Sequence, residues 1–212
     1  MVILTIFNNN LMFSPIIDLI NQIDNSSISD HRKDLLKPLL DYLALKIKQK
    51  KAINLNFICT HNSRRSQLSQ VWAKVIADYY GININSFSGG IEITACNKRT
   101  IASLALMGFK VNDPSGENPH YELIYHSKKP IISLFSKMHN DPLNPKGNFA
   151  AVMTCTHADK NCPFIAGAEK RISLPYEDPK IYDDTADEAN IYNQRSIQIA
   201  QEMKFIFSKF SD

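Results

Sequence analysis

Cys59-Thr60-His61-Asn62-Ser63-Arg64-Arg65-Ser66 is the stretch in which residue types and spacing could do chemistry. A thiol stands six positions before a guanidinium, and a hydroxyl follows the guanidinium directly. The residues in front, Ile53-Asn54-Leu55-Asn56-Phe57-Ile58, alternate and then run apolar, as a buried strand does. Those behind, Gln67 through Tyr80, carry Leu68, Val71, Trp72, Val75, Ile76 and Tyr79 at helical spacing. A cysteine at a strand end, a short loop and an arginine opening a helix make a cradle for an oxyanion. The first N–H groups of a helix lack partners, and the helix dipole adds partial positive charge there. Arg65 can fold over the loop and grip two oxygens at once. The same field favours thiolate over thiol at Cys59. A thiolate on the floor of an anion cradle is a nucleophile aimed at phosphate-like groups. A lone cysteine at a strand end is most often a small buried hydrophobe; the strand before, the helix after and the serine behind the arginine set this one apart.

The elements that must position this loop follow from the rest of the chain. Its 212 residues, 44% hydrophobic and 21% charged, suit one globular α/β domain with a sizeable core. A net charge of +3 is too weak to imply nucleic-acid binding, and the basic run from Lys46 to Lys51 suits a solvated helix end. No apolar run is long enough to cross a membrane. The apolar start, Met1 to Phe7, lacks the basic residues of an export signal and soon meets Asn8-Asn9-Asn10. Four cysteines do not make a secreted disulfide scaffold, so a reducing cytoplasm is the expected setting.

Residues 1–28 give no clear pattern. Ser29 is expected to cap a helix from Asp30 to about Lys48, kinked at Pro38, so that 1–50 form an N-terminal helical extension. From residue 51 to 212 the pattern is strand, helix, strand, helix. The second strand runs from Ile84 to Phe87 and ends in Ser88-Gly89-Gly90; the second helix spans about Asn97 to Met107. That alternation predicts a four-stranded parallel sheet with helices on both faces. Residues 112–148 break the rhythm with five prolines and two short apolar pieces, an excursion of the kind that is usually functional when ordered. Phe149 to Thr154 and Lys170 to Leu174 are the third and fourth strands, and Thr185 with Glu188 reads as a capping box opening the last helix.

At Cys59 to Ser66 the chain resembles the low-molecular-weight protein tyrosine phosphatase superfamily, whose signature is Cys-x5-Arg-Ser/Thr on a strand–loop–helix. The resemblance covers about residues 53 to 210 and includes Asp178-Pro179 ahead of the final helix. It implies Cys59 as nucleophile, Arg65 as oxyanion clamp, and Thr60, His61, Asn62, Ser63, Arg64 and Ser66 as the substrate-binding loop. It further implies Asp178 as the general acid, subject to the geometry a proton donor needs. Within the superfamily, Met153 to Pro163 is similar to the redox segment of thioredoxin-coupled arsenate reductases, with Cys155 and Cys162 seven apart. Ser66-Gln67, Trp72-Ala73-Lys74 and Gly90-Ile91-Glu92 resemble that branch as well.

That resemblance implies arsenate reduction by a three-cysteine relay with a thioredoxin-like reductant, no cofactor and no metal. Buried cysteines packing a strand end and a helix are the plainer account of Cys155 and Cys162. A zinc site of Cys155, His157 and Cys162 lacks a fourth ligand at recognisable spacing. The alternative function is hydrolysis of phosphotyrosine or another phosphomonoester, which needs only Cys59, Arg65 and Asp178. A non-catalytic anion-binding module is the third. Two departures stand out. His61 occupies a position usually held by glycine, where φ > 0 is expected. Arg64 stands where many arsenate reductases have another cysteine, and is expected to add positive charge to the pocket.

Overall fold

The computed structural model describes residues 11–162 and 164–211. The apolar start at 1–7 and Asn8-Asn9-Asn10, weighed above as a leader, lie outside them. In chain order the elements are helices α1 (Ser14–Gln22) and α2 (Asp30–Lys48), strand β1 (Asn54–Cys59), α3 (Arg65–Tyr79), β2 (Asn85–Gly90) and α4 (Lys98–Leu106). Three short strands follow, β3 (Lys110–Val111), β4 (Tyr121–Ile124) and β5 (Ile132–Leu134). Then come β6 (Phe149–Met153), α5 (Thr156–Asn161), β7 (Ala168–Ser173) and α6 (Glu188–Phe207).

β1, β2, β6 and β7 form the expected parallel sheet, in the order β2-β1-β6-β7. Alternate residues of β6 serve two cores, because a strand points successive side chains to opposite faces. Ala150 and Val152 join Leu55, Phe57, Trp72 and Phe207 in the larger core. Phe149, Ala151 and Met153 join Ile58, Cys59, Cys155, Ala158 and Ile165 in the smaller one. β1 has β2 on one side and β6 on the other, so the chain leaves its carboxyl end in opposite directions. Such a switch point opens a crevice at the strand ends. Cys59 is the last residue of β1, paired in register with Gly90, the last of β2.

The helical extension packs on the same core: Ile16, Ile20, Leu36, Leu39 and Leu43 are fully buried in it. Ser29 caps α2 as expected, its hydroxyl accepting the Arg32 N–H at 3.3 Å. The helix runs unbroken through Pro38, with the buried Leu36 and Leu39 on either side of it. The capping box does not form. Asp187 is the N-cap, without a side-chain bond, while the Thr185 hydroxyl donates to the Tyr182 carbonyl. Glu188 accepts the Asp184 N–H at 2.6 Å and pairs with Arg99, so its carboxylate is drawn off the helix end. Gly89 and Gly90, expected to end the second strand, belong to it. The excursion supplies β4 and β5, which pair antiparallel with β3 just ahead of it in the order β3-β4-β5, before residues 135–139 return to the crevice at the strand ends.

Candidate active site

Cys59 is 4% exposed at the carboxyl end of β1. Two groups bond its sulfur: the Asn62 backbone N–H donates to Sγ at 3.2 Å, and the Ser66 hydroxyl lies 3.0 Å away. Asn62 Nδ2 donates to Ser66 Oγ at 2.9 Å, which leaves the Ser66 proton free to turn toward the sulfur. The left-handed turn falls on Asn62, at φ 47°, and not on His61 as expected. Asparagine is enriched in that conformation, so histidine in the preceding position meets no backbone strain. His61 instead pairs its Nε2 with Glu92 at 3.1 Å. Arg64 is the N-cap of α3 and makes no side-chain cap. No described acceptor takes up the N–H groups of Ser63, Arg64, Arg65 or Ser66. These are the donors an oxyanion at the head of α3 would use.

The two arginines diverge. Arg65 reaches over to the turn after β7, donating to the Tyr176 carbonyl at 2.9 Å and pairing with Asp178 at 2.6 Å. Asp178 also accepts the Lys180 N–H, so the Asp-Pro turn and the contact with Arg65 coexist. Arg64 is taken up elsewhere, by the Tyr192 hydroxyl at 2.6 Å and Asp183 at 3.1 Å. Its charge is neutralised there, against the expectation that it enriches the pocket. Burial first, then the Asp183 carboxylate, raises the Tyr192 hydroxyl above its usual range.

The three singled-out cysteines come together at the smaller core. Cys59 and Cys155 both belong to that cluster, and Cys162 packs against it. Cys155 caps α5: its sulfur accepts the Ala158 N–H at 3.3 Å and lies 3.5 Å from the hydroxyl of Thr60. His157 Nδ1 lies 3.2 Å from the same hydroxyl. Cys162 closes the other end of α5, and burial raises its thiol. All four cysteines are free thiols.

No protein-family model matches the chain. It is 27% identical to arsenate reductase 2 of Staphylococcus epidermidis over 124 residues, 58% of this chain and 76% of that one. Among solved structures, a low-molecular-weight phosphotyrosine phosphatase of Vibrio cholerae O395 superposes with a TM-score of 0.51 at 11% identity, over 75% of this chain and 96% of its own. An arsenate reductase of Archaeoglobus fulgidus does so with a TM-score of 0.50 at 15% identity, over 73% and 98%. The chain has the fold of the low-molecular-weight protein tyrosine phosphatases and of the arsenate reductases that share it.

The loop Cys59–Ser66 is braced by residues that the sequence pattern did not single out. The Ser136 hydroxyl donates to the His61 carbonyl at 2.7 Å, and the Lys137 N–H to Asn62 Oδ1 at 3.1 Å. Gln67 Nε2 bridges the carbonyls of Asn62 and Phe135, at 2.8 Å each. Gly90 is obligatory at this junction. A Cβ there would meet the Thr60 carbonyl at 2.8 Å and the Asn62 nitrogen at 2.9 Å. Cys96 is the fourth cysteine, fully sequestered, and burial pushes its thiol up to about 12. Only the aromatic residues of the excursion signalled that this segment is ordered.

Proposed function

We propose that the protein reduces arsenate through a relay of Cys59, Cys155 and Cys162. The arsenate relatives and the superfamily fold support the oxyanion chemistry. The observation that carries the relay is the meeting of the three thiols at one small core, with Cys155 bonded to the residue that follows Cys59. The Cys59 thiolate attacks arsenic(V), and a hydroxide leaves as water after taking a proton from Asp178. Arg65 and the loop N–H groups hold the remaining oxygens. The Cys155 thiolate attacks the Cys59 sulfur. An S–S bond forms, the S–As bond breaks, and its electron pair stays on arsenic, which departs as arsenite. Cys162 then attacks Cys155 and releases the Cys59 thiolate. The Cys155–Cys162 disulfide is reduced by an external dithiol of the thioredoxin class, as befits a cytoplasmic setting.

The test replaces Cys155 and Cys162 singly with serine and follows arsenite release with thioredoxin, thioredoxin reductase and NADPH. Turnover is lost in both variants. A variant that keeps it removes that thiol from the relay. A second reading, hydrolysis of a phosphomonoester through a phosphocysteine, is favoured by the contact of Asp178 with Arg65. It predicts fast cleavage of an aryl phosphate that ignores both serine substitutions.

A further inference from the structure

A cavity of about 590 Å3 lies between the edge strand β2 and the hairpin of β4 and β5. Its size is that of a small-molecule site, and none of its lining residues belongs to the segment Cys59–Ser66. Phe87, Ile131, Ile132 and Phe135 give it apolar walls, and no aspartate or glutamate lines it. Three lysines do. Lys74 and Lys129 are both answered by Asp78, which stands outside the lining. Lys137 has no such partner: it is 5% exposed, and no described carboxylate lies within ion-pair distance. Its ammonium sits 4.7 Å from the centroid of the Phe135 ring. Burial pushes it down to about 8, with the more distant Asp141 and Cys96 pulling it back.

A buried cation without a counter-ion costs folding free energy. A ligand with an acidic group for Lys137 and an apolar body for the ring-lined walls answers it. We propose that this cavity binds a small aryl or alkyl organic acid, and that its occupancy acts on the loop Cys59–Ser66. The connection is short. The Lys137 N–H bonds Asn62 Oδ1, the Lys137 carbonyl accepts the Gly90 N–H at 2.8 Å, and the Asn62 N–H reaches the Cys59 sulfur. The excursion thus carries a regulatory pocket as well as a brace. The inference holds for either reaction at Cys59.

Calorimetric titration of the full chain tests it, with 4-hydroxyphenylacetate, 3-(4-hydroxyphenyl)propionate and indole-3-acetate as probes. Saturating orthovanadate is present throughout to fill the catalytic loop. At least one acid binds with one-to-one stoichiometry, and its neutral amide binds about tenfold more weakly or less, the scale of one lost charge contact. Lys137→Met weakens the acid by the same factor. Ile131→Glu does so too; Ile131 is 47% exposed, so this variant keeps the core intact should Lys137→Met misfold. The bound acid changes the rate at which iodoacetamide modifies Cys59 when vanadate is omitted. The proposal is overturned by no saturable binding of any probe up to about 10 mM, or by equal affinity of acid and amide. Binding indifferent to both substitutions, or an unchanged Cys59 rate, overturns it as well.

Discussion

Arg65 and Asp178 share an ion pair of 2.6 Å, one from the head of α3 and the other from the turn after β7. The proposed oxyanion clamp and the proposed proton donor therefore hold one another. An oxyanion bound at Cys59 competes with the carboxylate for the same guanidinium. Asp178→Asn should separate the two roles. Competitive inhibition by phosphate strengthens about threefold or more, as one counter-charge is removed. Hydrolysis of an aryl phosphate falls by about 10²–10⁴, the usual worth of a positioned proton donor. Steady-state kinetics with phosphate as inhibitor reads both. A parallel loss of binding and turnover would mean that Asp178 serves only to orient Arg65.

Helix α5 separates the two thiols of the last disulfide in the proposed relay. Cys155 and Cys162 stand at its two caps, and seven residues of α-helix span about 10 Å. A disulfide requires Cα atoms within about 7 Å. The helix must unwind for the disulfide to form, and Arg171 is what resists: it donates to the Cys162 carbonyl at 3.0 Å and pairs with Asp159 at 2.7 Å. Hydrogen exchange should show the Asp159 and Cys162 amides protected in the reduced protein and open in the oxidised one. Arg171→Ala should speed disulfide formation by severalfold, measured by the rate at which free thiols disappear under oxidised glutathione.

Gly90 couples the loop to the sheet through space that a methyl group would fill. An added Cβ lies under 3 Å from three backbone atoms, one of them the Asn62 nitrogen that bonds the Cys59 sulfur. These are main-chain atoms, which cannot rotate aside. Gly90→Ala should lower kcat for either reaction by about 10²-fold, the cost of a misplacement near 1 Å. It should also destabilise the fold by about 1–3 kcal/mol through overpacking. Urea unfolding and turnover measured on the same preparation check the pair.

The parallel sheet and the strand–loop–helix around Cys59 were legible because their signals are local. A buried strand, a thiol, a guanidinium and a helical stripe lie within thirty residues of one another (52–81). The limits of α2 were equally plain, fixed by Ser29 and by the leucine spacing. What escaped depends on partners far along the chain. Arg64 looked like a pocket charge because Asp183 and Tyr192 are more than a hundred positions away. Thr185 and Glu188 matched a capping pattern, but Arg99 claimed the glutamate. The brace of Ser136 and Lys137 had no motif at all, since two of its bonds use main-chain atoms that any residue supplies.

The helical extension reaches the candidate site through Arg32. Its guanidinium makes a bidentate pair with the buried Glu202, at 2.8 Å on each arm, and donates to the Pro175 carbonyl at 2.9 Å. The Tyr176 hydroxyl joins Glu202 at 2.8 Å, while the Tyr176 carbonyl holds Arg65. Arg32→Ala leaves a buried carboxylate without its cation, a change that costs about 3–5 kcal/mol. Urea unfolding should show a loss of that size. Affinity for phosphate should fall with it, because the strand end that positions Arg65 is loosened. Unaltered phosphate binding in the folded variant would confine Arg32 to stability.

Lys137 gives stability a pH dependence whose sign can be worked out. Burial holds its ammonium down to about 8, below the ordinary 10.5. Between those values the unfolded chain keeps the proton and the folded chain does not. The unfolded state then binds more protons, so stability rises with pH across the window from about 8 to 10.5. A shift of that width corresponds to about 3 kcal/mol at most. Below pH 8 the folded protein bears the whole cost of a buried, unanswered charge. Lys137→Met removes the group without removing its bulk. The variant should therefore be more stable than the wild type at pH 7, and the advantage should shrink as the pH climbs toward 10. Cys96 and Lys137 act on one another's charge, so the comparison is made in a Cys96→Ser background, where the difference between the urea midpoints reads the lysine. A gap that stays constant from pH 7 to 10 would show that Lys137 has found a counter-charge.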